Sequence, residues 1–152
     1  MRDEILNAVP GTWLPMDVVR AHYLACESLG YSDRAVLDIG SGVGLNARGT
    51  AIGTAANFAM STGVTPWTMM SQFQRFWERI ASGGGAVEIR KLGPKEARLE
   101  LVGWTCAEIR YVRIAMRGVL LGVFSLFSRQ AFMHEVPALC TKITLGYRAQ
   151  WA

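Results

Sequence analysis

The feature that most constrains the fold is a change in the spacing of apolar residues at the glycine run Gly83–Gly85. Before this run, apolar residues recur at the three-to-four-residue spacing of amphipathic helices. After it, they alternate with polar residues, as in strands that bury one face. The alternation first covers residues 87–91 and 97–101, which are separated by a turn at Gly93–Pro94. This pattern predicts a hairpin of two half-buried strands.

Two more strands are predicted beyond a long helix. Thr105 is a suitable N-cap for this helix, and its predicted apolar stripe consists of Ile109, Val112, Met116, Val119, Val123 and Phe127. Phe132, His134 and Val136 indicate a third strand, and the clearest alternation in the chain, from Ile143 to Trp151, predicts the fourth. The resulting β-β-α-β-β order is typical of a four-stranded antiparallel sheet with helices packed on one side.

Helices are predicted before the glycine run. Pro15 suits the first turn of one helix and Gly30 its end. Ser32 or Asp33 can cap a second helix that extends to about Met60. Its glycines recur at Gly40, Gly44, Gly49 and Gly53. Since glycine lowers helix propensity but lets another backbone approach closely, we expect a broken or closely packed helix.

A third helix is predicted from Thr65, with Pro66 at its first position, to the glycine run. It contains a dense set of methionine and aromatic residues, namely Trp67, Met69, Met70, Phe73, Phe76 and Trp77. One interpretation is helix core against the sheet. Because one helix face cannot bury all of them, we also expect some to line a cavity or an interface.

Composition narrows the class of protein. With 152 residues, 51% of them hydrophobic, the chain is predicted to form a single α+β domain covering residues 1–152. The net charge of +4 comes from scattered basic residues, which argues against nucleic acid as a partner. Three cysteines without a CxxC spacing favour a reducing compartment. Residues 1–4 read Met-Arg-Asp-Glu, with acidic residues where a signal peptide needs basic ones. The longest apolar run is too short to span a bilayer, so we expect a cytoplasmic protein without a membrane span.

Residues 35–44 read Ala-Val-Leu-Asp-Ile-Gly-Ser-Gly-Val-Gly and resemble the glycine-rich first motif of class I methyltransferases. Such a site needs a preceding strand and, about twenty residues later, an acidic residue that binds the ribose. No Asp or Glu occurs from Ile39 to Trp77. We therefore favour a glycine-rich helix with Asp38 on its face. An S-adenosylmethionine-dependent methyltransferase carried by Leu37–Gly44 stays as the enzymatic alternative.

Aromatic and arginine-rich segments resemble those of an uncharacterised paralogous family of myxobacteria. They are Trp13–Pro15, Thr65–Trp67, Phe76–Arg79, Tyr111–Val123 and Trp151. That family is in turn similar to a group containing 4-vinyl-reductase domains, haem–nitric-oxide-binding domains and the Bet3-like subunits of vesicle-tethering complexes. The resemblance implies helices on a four-stranded antiparallel sheet, frequent dimers, and an internal apolar pocket for a small or lipid-like ligand. The cysteine-rich tail of many 4-vinyl-reductase domains is reduced here to Cys140 and Gly146, which removes the case for a metal.

Candidate site residues follow from the resemblance and from the residue pattern. Those assigned to ligand binding are Phe58, Trp67, Met70, Phe73, Trp77, Tyr111 and Phe124. Haem would need an axial histidine, and the chain has two, His22 and His134, which we interpret as structural. His22 and Cys26, four residues apart, are expected on one helix face. We expect no metal and no obligatory cofactor.

Arg110, Arg113 and Arg117 fall on one face of the predicted long helix, where they can bind an anion or an acidic partner. A solvated stripe is the alternative interpretation. The Bet3-like resemblance implies acylation or redox chemistry at Cys26 or Cys140. The alternative is that each cysteine is a small buried apolar residue.

The expected function is a non-enzymatic binding, sensory or scaffold module. In this hypothesis an internal pocket holds a small hydrophobic or lipid-like ligand, and a homodimer or protein partner transmits the signal. A structural interaction protein with a filled pocket is the second hypothesis, and the methyltransferase is the third. No nucleophile in the sequence has an evident base and acid partner, which disfavours an enzyme.

Overall fold

A computed structural model of the chain describes residues 14–46, 65–80 and 83–152. The described elements are α1 Met16–Ser28, α2 Asp33–Asn46, α3 Pro66–Met70, α4 Phe73–Ile80, β1 Ala86–Gly93, β2 Glu96–Val102, α5 Arg110–Phe124, β3 Ala131–Glu135 and β4 Thr144–Trp151. A short 3₁₀ helix, Pro137–Leu139, links β3 to β4. The predicted α+β class, with helices and a four-stranded antiparallel sheet, is confirmed.

The sheet has the spatial order β1-β2-β4-β3, and every neighbouring pair is antiparallel. The two central strands, β2 and β4, join the hairpin β1–β2 to the pair β3–β4. Their inner face is fully buried and consists of Ala97, Leu99, Leu101, Leu145, Tyr147 and Ala149. The alternation in the sequence therefore identified the buried face of both central strands.

α5 lies between the sheet and α2. On one side, Val112, Leu120 and Phe124 belong to the core formed with the central strands. On the other side, α5 packs along the length of α2. The structure therefore has three layers, in the order sheet, α5 and α2, and α5 is buried from two directions.

The contact between α2 and α5 is made by glycines spaced one turn apart in each helix, namely Gly40, Gly44, Gly118 and Gly122. A Cβ atom placed on Gly40 would lie 2.0 Å from the carbonyl oxygen of Ala115. One placed on Gly118 would lie 2.3 Å from the carbonyl oxygen of Leu37. The two backbones thus touch directly, and no larger side chain fits between them. This confirms the closely packed form of the second helix up to Asn46. Its predicted continuation to Met60 lies outside the described residues.

The prediction that Thr105 caps the long helix is wrong. α5 begins at Arg110, and its N-cap is Ile109. Residues 105–108 instead form a separate turn, in which the Ala107 N–H donates to the Trp104 carbonyl at 3.0 Å. Cys106 and Ala107 are fully buried, so this turn packs into the core before the helix starts.

The predicted apolar stripe of α5 is also only partly correct. The buried residues of the helix are Val112, Ile114, Gly118, Leu120, Gly122 and Phe124, whereas Met116, Val119, Val123 and Phe127 are half-buried. A single stripe is the pattern of a helix covered on one side. Because the sheet and α2 cover different sides of α5, burial extends around the helix.

The single third helix predicted from Thr65 to the glycine run is two helices in the structure, α3 and α4. The chain turns at Ser71–Gln72, where the Gln72 N–H donates to the Met69 carbonyl at 3.0 Å in a 3₁₀-type bond. The Ser71 hydroxyl donates to the Thr68 carbonyl at 2.7 Å, a local bond that competes with the regular helical pattern.

We expect Gly40→Ala to lower the free energy of unfolding by about 1–3 kcal/mol, because the added methyl group overpacks the contact with α5. Gly42→Ala is the matched control on the same helix, since a Cβ atom there meets nothing within 4 Å. It should stabilise the protein by up to about 1 kcal/mol through helix propensity. Urea denaturation followed by circular dichroism measures both effects. Equal changes in the two variants would contradict the backbone contact.

Candidate functional site

Most of the predicted ligand-binding side chains lie in the hydrophobic core. Met70, Phe73, Trp77 and Phe124 are buried, and Trp67 is half-buried at the edge of the core. The rings of Trp67 and Phe124 both pack against Trp151, with centroid distances of 5.1 and 5.8 Å. These separations are those of edge-to-face and tilted aromatic pairs. The nominated side chains among the described residues therefore lie in the core or pack against it, next to the sheet.

Both indole N–H groups of this set have backbone acceptors. Trp67 donates to the Pro94 carbonyl at 2.8 Å, in the turn between β1 and β2. Trp77 donates to the Gly84 carbonyl at 2.9 Å. The two bonds fix the orientation of the rings and anchor α3 and α4 to the hairpin. The Lys91 ammonium also lies over the Trp67 ring, 5.2 Å from its centroid.

Tyr111 belongs to a second group of aromatic rings, at the start of α5. Its ring lies 6.4 Å from that of Tyr23 in α1, and Tyr23 meets Trp104 edge-on at 6.4 Å. Trp104 in turn packs edge-on against Trp77 at 5.2 Å. Aromatic contacts therefore run from α1 through the core to α4. Phe58, the remaining nominated residue, lies outside the described residues, and the ligand-binding role of the whole set stays a prediction.

Tyr147 is a core residue that sequence reasoning did not single out. It is fully buried in β4, and its hydroxyl donates to the Arg113 carbonyl of α5 at 2.8 Å. Burial raises the pKa of Tyr147 well above its ordinary value, so the phenol stays neutral. The alternation of residues 143–151 was the available signal, since it placed Tyr147 on the inner face.

Two of the three nominated arginines pair with acidic side chains, and their partners lie on different elements. Arg110 pairs with Asp33 of α2, and its guanidinium lies 3.7 Å from the Glu27 carboxylate of α1. Arg113 pairs with Glu135 of β3, and this hydrogen bond raises the pKa of Arg113. Arg117 is half-buried. Two of the three guanidinium groups therefore connect elements of the fold, and the predicted anion-binding role stays a prediction.

A shallow depression of about 380 Å³ lies where α1 meets the start of α5. It is lined by Arg20, Leu24, Glu27, Glu108, Ile109 and Arg110. Its charges are paired: Arg20 lies 2.7 Å from Glu108 and also donates to the Thr105 carbonyl at 3.0 Å. The Glu27 carboxylate accepts the Tyr111 N–H. These contacts hold α1 against α5. The depression is therefore part of the packing contact between these two helices.

The structure separates the two nominated cysteines by their surroundings. Cys26 is half-buried on α1, and its sulfur lies 3.6 Å from Nε2 of His22, as the four-residue spacing predicted. Tyr111 lies beside the same sulfur, and its pKa is raised by burial and, secondarily, by Cys26. Cys140 instead makes backbone contacts: its sulfur accepts the Gly146 N–H at 3.5 Å and donates to the Val136 carbonyl at 3.5 Å.

The segment that resembles a methyltransferase motif is helical. Residues 37–44 lie within α2, and the backbone of α5 fills the space beside Gly40 and Gly44. A nucleotide cradle needs these glycines at a turn that follows a strand. Within residues 33–46 the structure has neither feature, which agrees with the helical interpretation of this segment.

Three further findings concern metal ligands, membrane spans and related proteins. In the described part of the chain, no group of three or more His, Cys, Asp and Glu side chains is arranged to hold a metal ion. Among the described helices, none is long and apolar enough to cross a membrane. No family model matches the chain, and no curated protein matches it. The resemblance stated above therefore remains a prediction.

We expect Cys26 to react with iodoacetamide faster than the other cysteines, because its thiol is partly accessible and its sulfur lies 3.6 Å from Nε2 of His22. Cys106 is fully buried, and burial raises its pKa, so it should stay unmodified in the folded protein. Peptide mass spectrometry after short exposure at neutral pH gives the three rates. The variant His22→Phe should slow Cys26 specifically. Faster labelling of Cys140, or no effect of His22→Phe, would contradict the assignment.

Proposed function

We propose that this chain is a non-enzymatic protein-interaction module whose core is filled by its own side chains and which associates with a second copy through α1 and α2. Apolar side chains exposed on these helices are the observation that carries the proposal. Of the earlier hypotheses, this is the filled-pocket interaction module. The ligand-holding version becomes an outcome of the experiments below.

The packing of the nominated ligand-binding residues supports a filled core. Trp67 and Phe124 each contact Trp151, and Trp77 contacts Trp104. An internal ligand site is a cavity of several hundred cubic ångströms lined by apolar side chains. Here the described members of the nominated set lie in the core or pack against it. Their volume serves the stability of the domain.

The exposed apolar side chains are concentrated in one part of the chain. Among the described residues, six of the nine large apolar side chains that are exposed lie between positions 24 and 45. They are Leu24, Leu29, Tyr31, Ile39, Val43 and Leu45. Single exposed apolar residues need no explanation, but such a concentration on neighbouring elements is typical of an interaction surface.

The geometry of α2 favours a second copy as the partner. Ile39 and Val43 are four residues apart, so they form a ridge along one flank of the helix, with exposures of 44% and 59%. Two such ridges related by a twofold axis can pack against each other, since an isologous contact uses the same surface twice. Because α2 is an outer layer of the fold, a second copy can reach this flank without rearranging the core.

We expect the double variant Ile39→Glu/Val43→Glu to weaken self-association by at least about tenfold, because burying two carboxylates in an apolar contact is unfavourable. Analytical ultracentrifugation over a range of protein concentrations gives the monomer–dimer equilibrium. Leu92→Glu on β1 is the matched control, since Leu92 is 48% exposed but lies away from α2. A wild-type protein that stays monomeric would contradict the proposed partner.

Native mass spectrometry of the purified protein, followed by organic extraction, tests the filled core. We expect the mass of the polypeptide alone, as monomer and dimer, and no retained small molecule. A retained lipid-like molecule, or the absorption spectrum of bound haem, would contradict the filled core and favour the ligand-sensing hypothesis. Whether a small molecule is retained does not depend on the oligomeric state. The filled core and the self-association can therefore be contradicted independently of each other.

A further inference from the structure

The register of the sheet places four basic side chains in one row across its outer face. Arg90 of β1 is opposite Arg98 of β2, Arg98 is opposite Arg148 of β4, and Arg148 is opposite His134 of β3. We call these four residues the basic row. It crosses all the strands of the sheet, on the face that points away from α5. No other row of the sheet carries basic residues on every strand.

Such a row is unfavourable unless something offsets it, because like charges directly opposite each other destabilise an antiparallel pair. The protein offsets it in part. Arg148 pairs with Glu96, and the Nε atom of Arg98 lies 2.8 Å from Glu100. The contact between Arg98 and Glu100 is an ion pair but not a hydrogen bond. The Arg98 Nε–H is buried, and no acceptor in the described part of the structure receives it. The row therefore keeps at least one strong donor without its own partner.

The ends of the row are open. Arg90 and His134 are exposed, on the edge strands β1 and β3, and the described residues form no ion pair with either side chain. Arg148 keeps 51% of its side chain exposed. A negatively charged ligand can therefore approach the row at its exposed members, Arg90, Arg148 and His134.

The surroundings of the row restrict the width of such a ligand. Glu88 and Glu100 face each other one step along the strands on one side, and Glu96 lies one step away on the other. Residues on one face of a strand are about 7 Å apart, so carboxylates flank the row at that distance. The 3₁₀ helix adds a wall on the first side, where Leu139 packs directly on Gly146. A broad polyanion, such as a nucleic acid strand or an anionic membrane, would lie over these carboxylates.

The geometry points to an extended acidic peptide segment of a partner protein, bound across the strands along the basic row. Four strands are separated by three spacings of about 4.8 Å, which gives a row about 14 Å long. Acidic residues at alternate positions of an extended peptide are about 7 Å apart, so three of them, at i, i+2 and i+4, span the same length. The first carboxylate then meets the guanidinium of Arg90, the second lies between Arg98 and Arg148, and the third meets the imidazole of His134. Hydrogen bonds from guanidinium groups to carboxylates are charge-assisted and therefore stronger.

Fluorescence anisotropy with a labelled peptide tests this inference. The probe is acetyl-Thr-Glu-Thr-Glu-Thr-Glu-Thr, and the matched peptide has Gln in place of each Glu. We expect the acidic peptide to bind and the Gln peptide to bind at least about tenfold more weakly. Binding of the acidic peptide should also weaken as the salt concentration is raised from about 50 to about 300 mM, because salt screens charges that are partly exposed.

The variant Arg90→Gln/Arg148→Gln should weaken binding of the acidic peptide by about tenfold or more. Both side chains are exposed, so the variant is expected to fold, which circular dichroism checks. Arg34→Gln on α2 is the control, since Arg34 is fully on the surface of the opposite layer, where its side chain is 81% exposed. An equal loss per removed charge in the two variants would overturn the site, because it would report net charge alone.

Three other outcomes would also overturn the inference. They are no binding of the acidic peptide, equal binding of the Gln peptide, and binding of an oligothymidylate of about twelve nucleotides that is tighter than binding of the acidic peptide. The basic row and the α2 flank lie on opposite outer layers. Failure of peptide binding is therefore distinguishable from failure of the proposed self-association, which the Ile39 and Val43 variants test.

Discussion

The direct contact between the backbones of α2 and α5 determines how the other layers are arranged. Gly40 and Gly44 in one helix meet Gly118 and Gly122 in the other, and no side chain separates them. α5 can therefore contact α2 on one side while Val112, Leu120 and Phe124 pack on the sheet. Because α2 uses small residues for this contact, its larger apolar side chains, such as Ile39 and Val43, are left on its outer flank. The proposed interaction surface is thus a consequence of how the helices pack.

The core and the surface of the domain have separate roles. The described aromatic side chains that the sequence suggested as a ligand site lie in the core or pack against it, and the indole N–H groups of Trp67 and Trp77 donate to backbone carbonyls. Ion pairs lie at the borders between elements, where Arg110 connects α5 to α1 and α2, and Arg113 connects α5 to β3. The two surfaces proposed for recognition are accordingly the outer faces of α2 and of the sheet.

Much of the fold, and less of the candidate site, was predictable. The alternation from Leu145 to Trp151 identified the buried face of β4, and Gly30 ended α1 where the chain reaches a positive φ. The break between α3 and α4 was not predicted, because the helical spacing of apolar residues continues across Ser71–Gln72 and no glycine or proline marks it. The spacing of His22 and Cys26 predicted their proximity. The partners of Arg110 and Arg113 are distant in the chain, so spacing could not find them.

The sequence by itself determined the α+β class, the four strands and the inner face of the two central ones, since these depend on local periodicity and turn residues. It also marked α2 as a helix able to pack closely, through its spaced glycines. Only the tertiary structure decided that α5 is the helix that packs against these glycines. Gly118 and Gly122 of α5 are about eighty residues away from them in the chain. The tertiary structure also decided which residues form the basic row. Arg90, Arg98, Arg148 and His134 become neighbours only through strand register, which is a long-range property of the sheet.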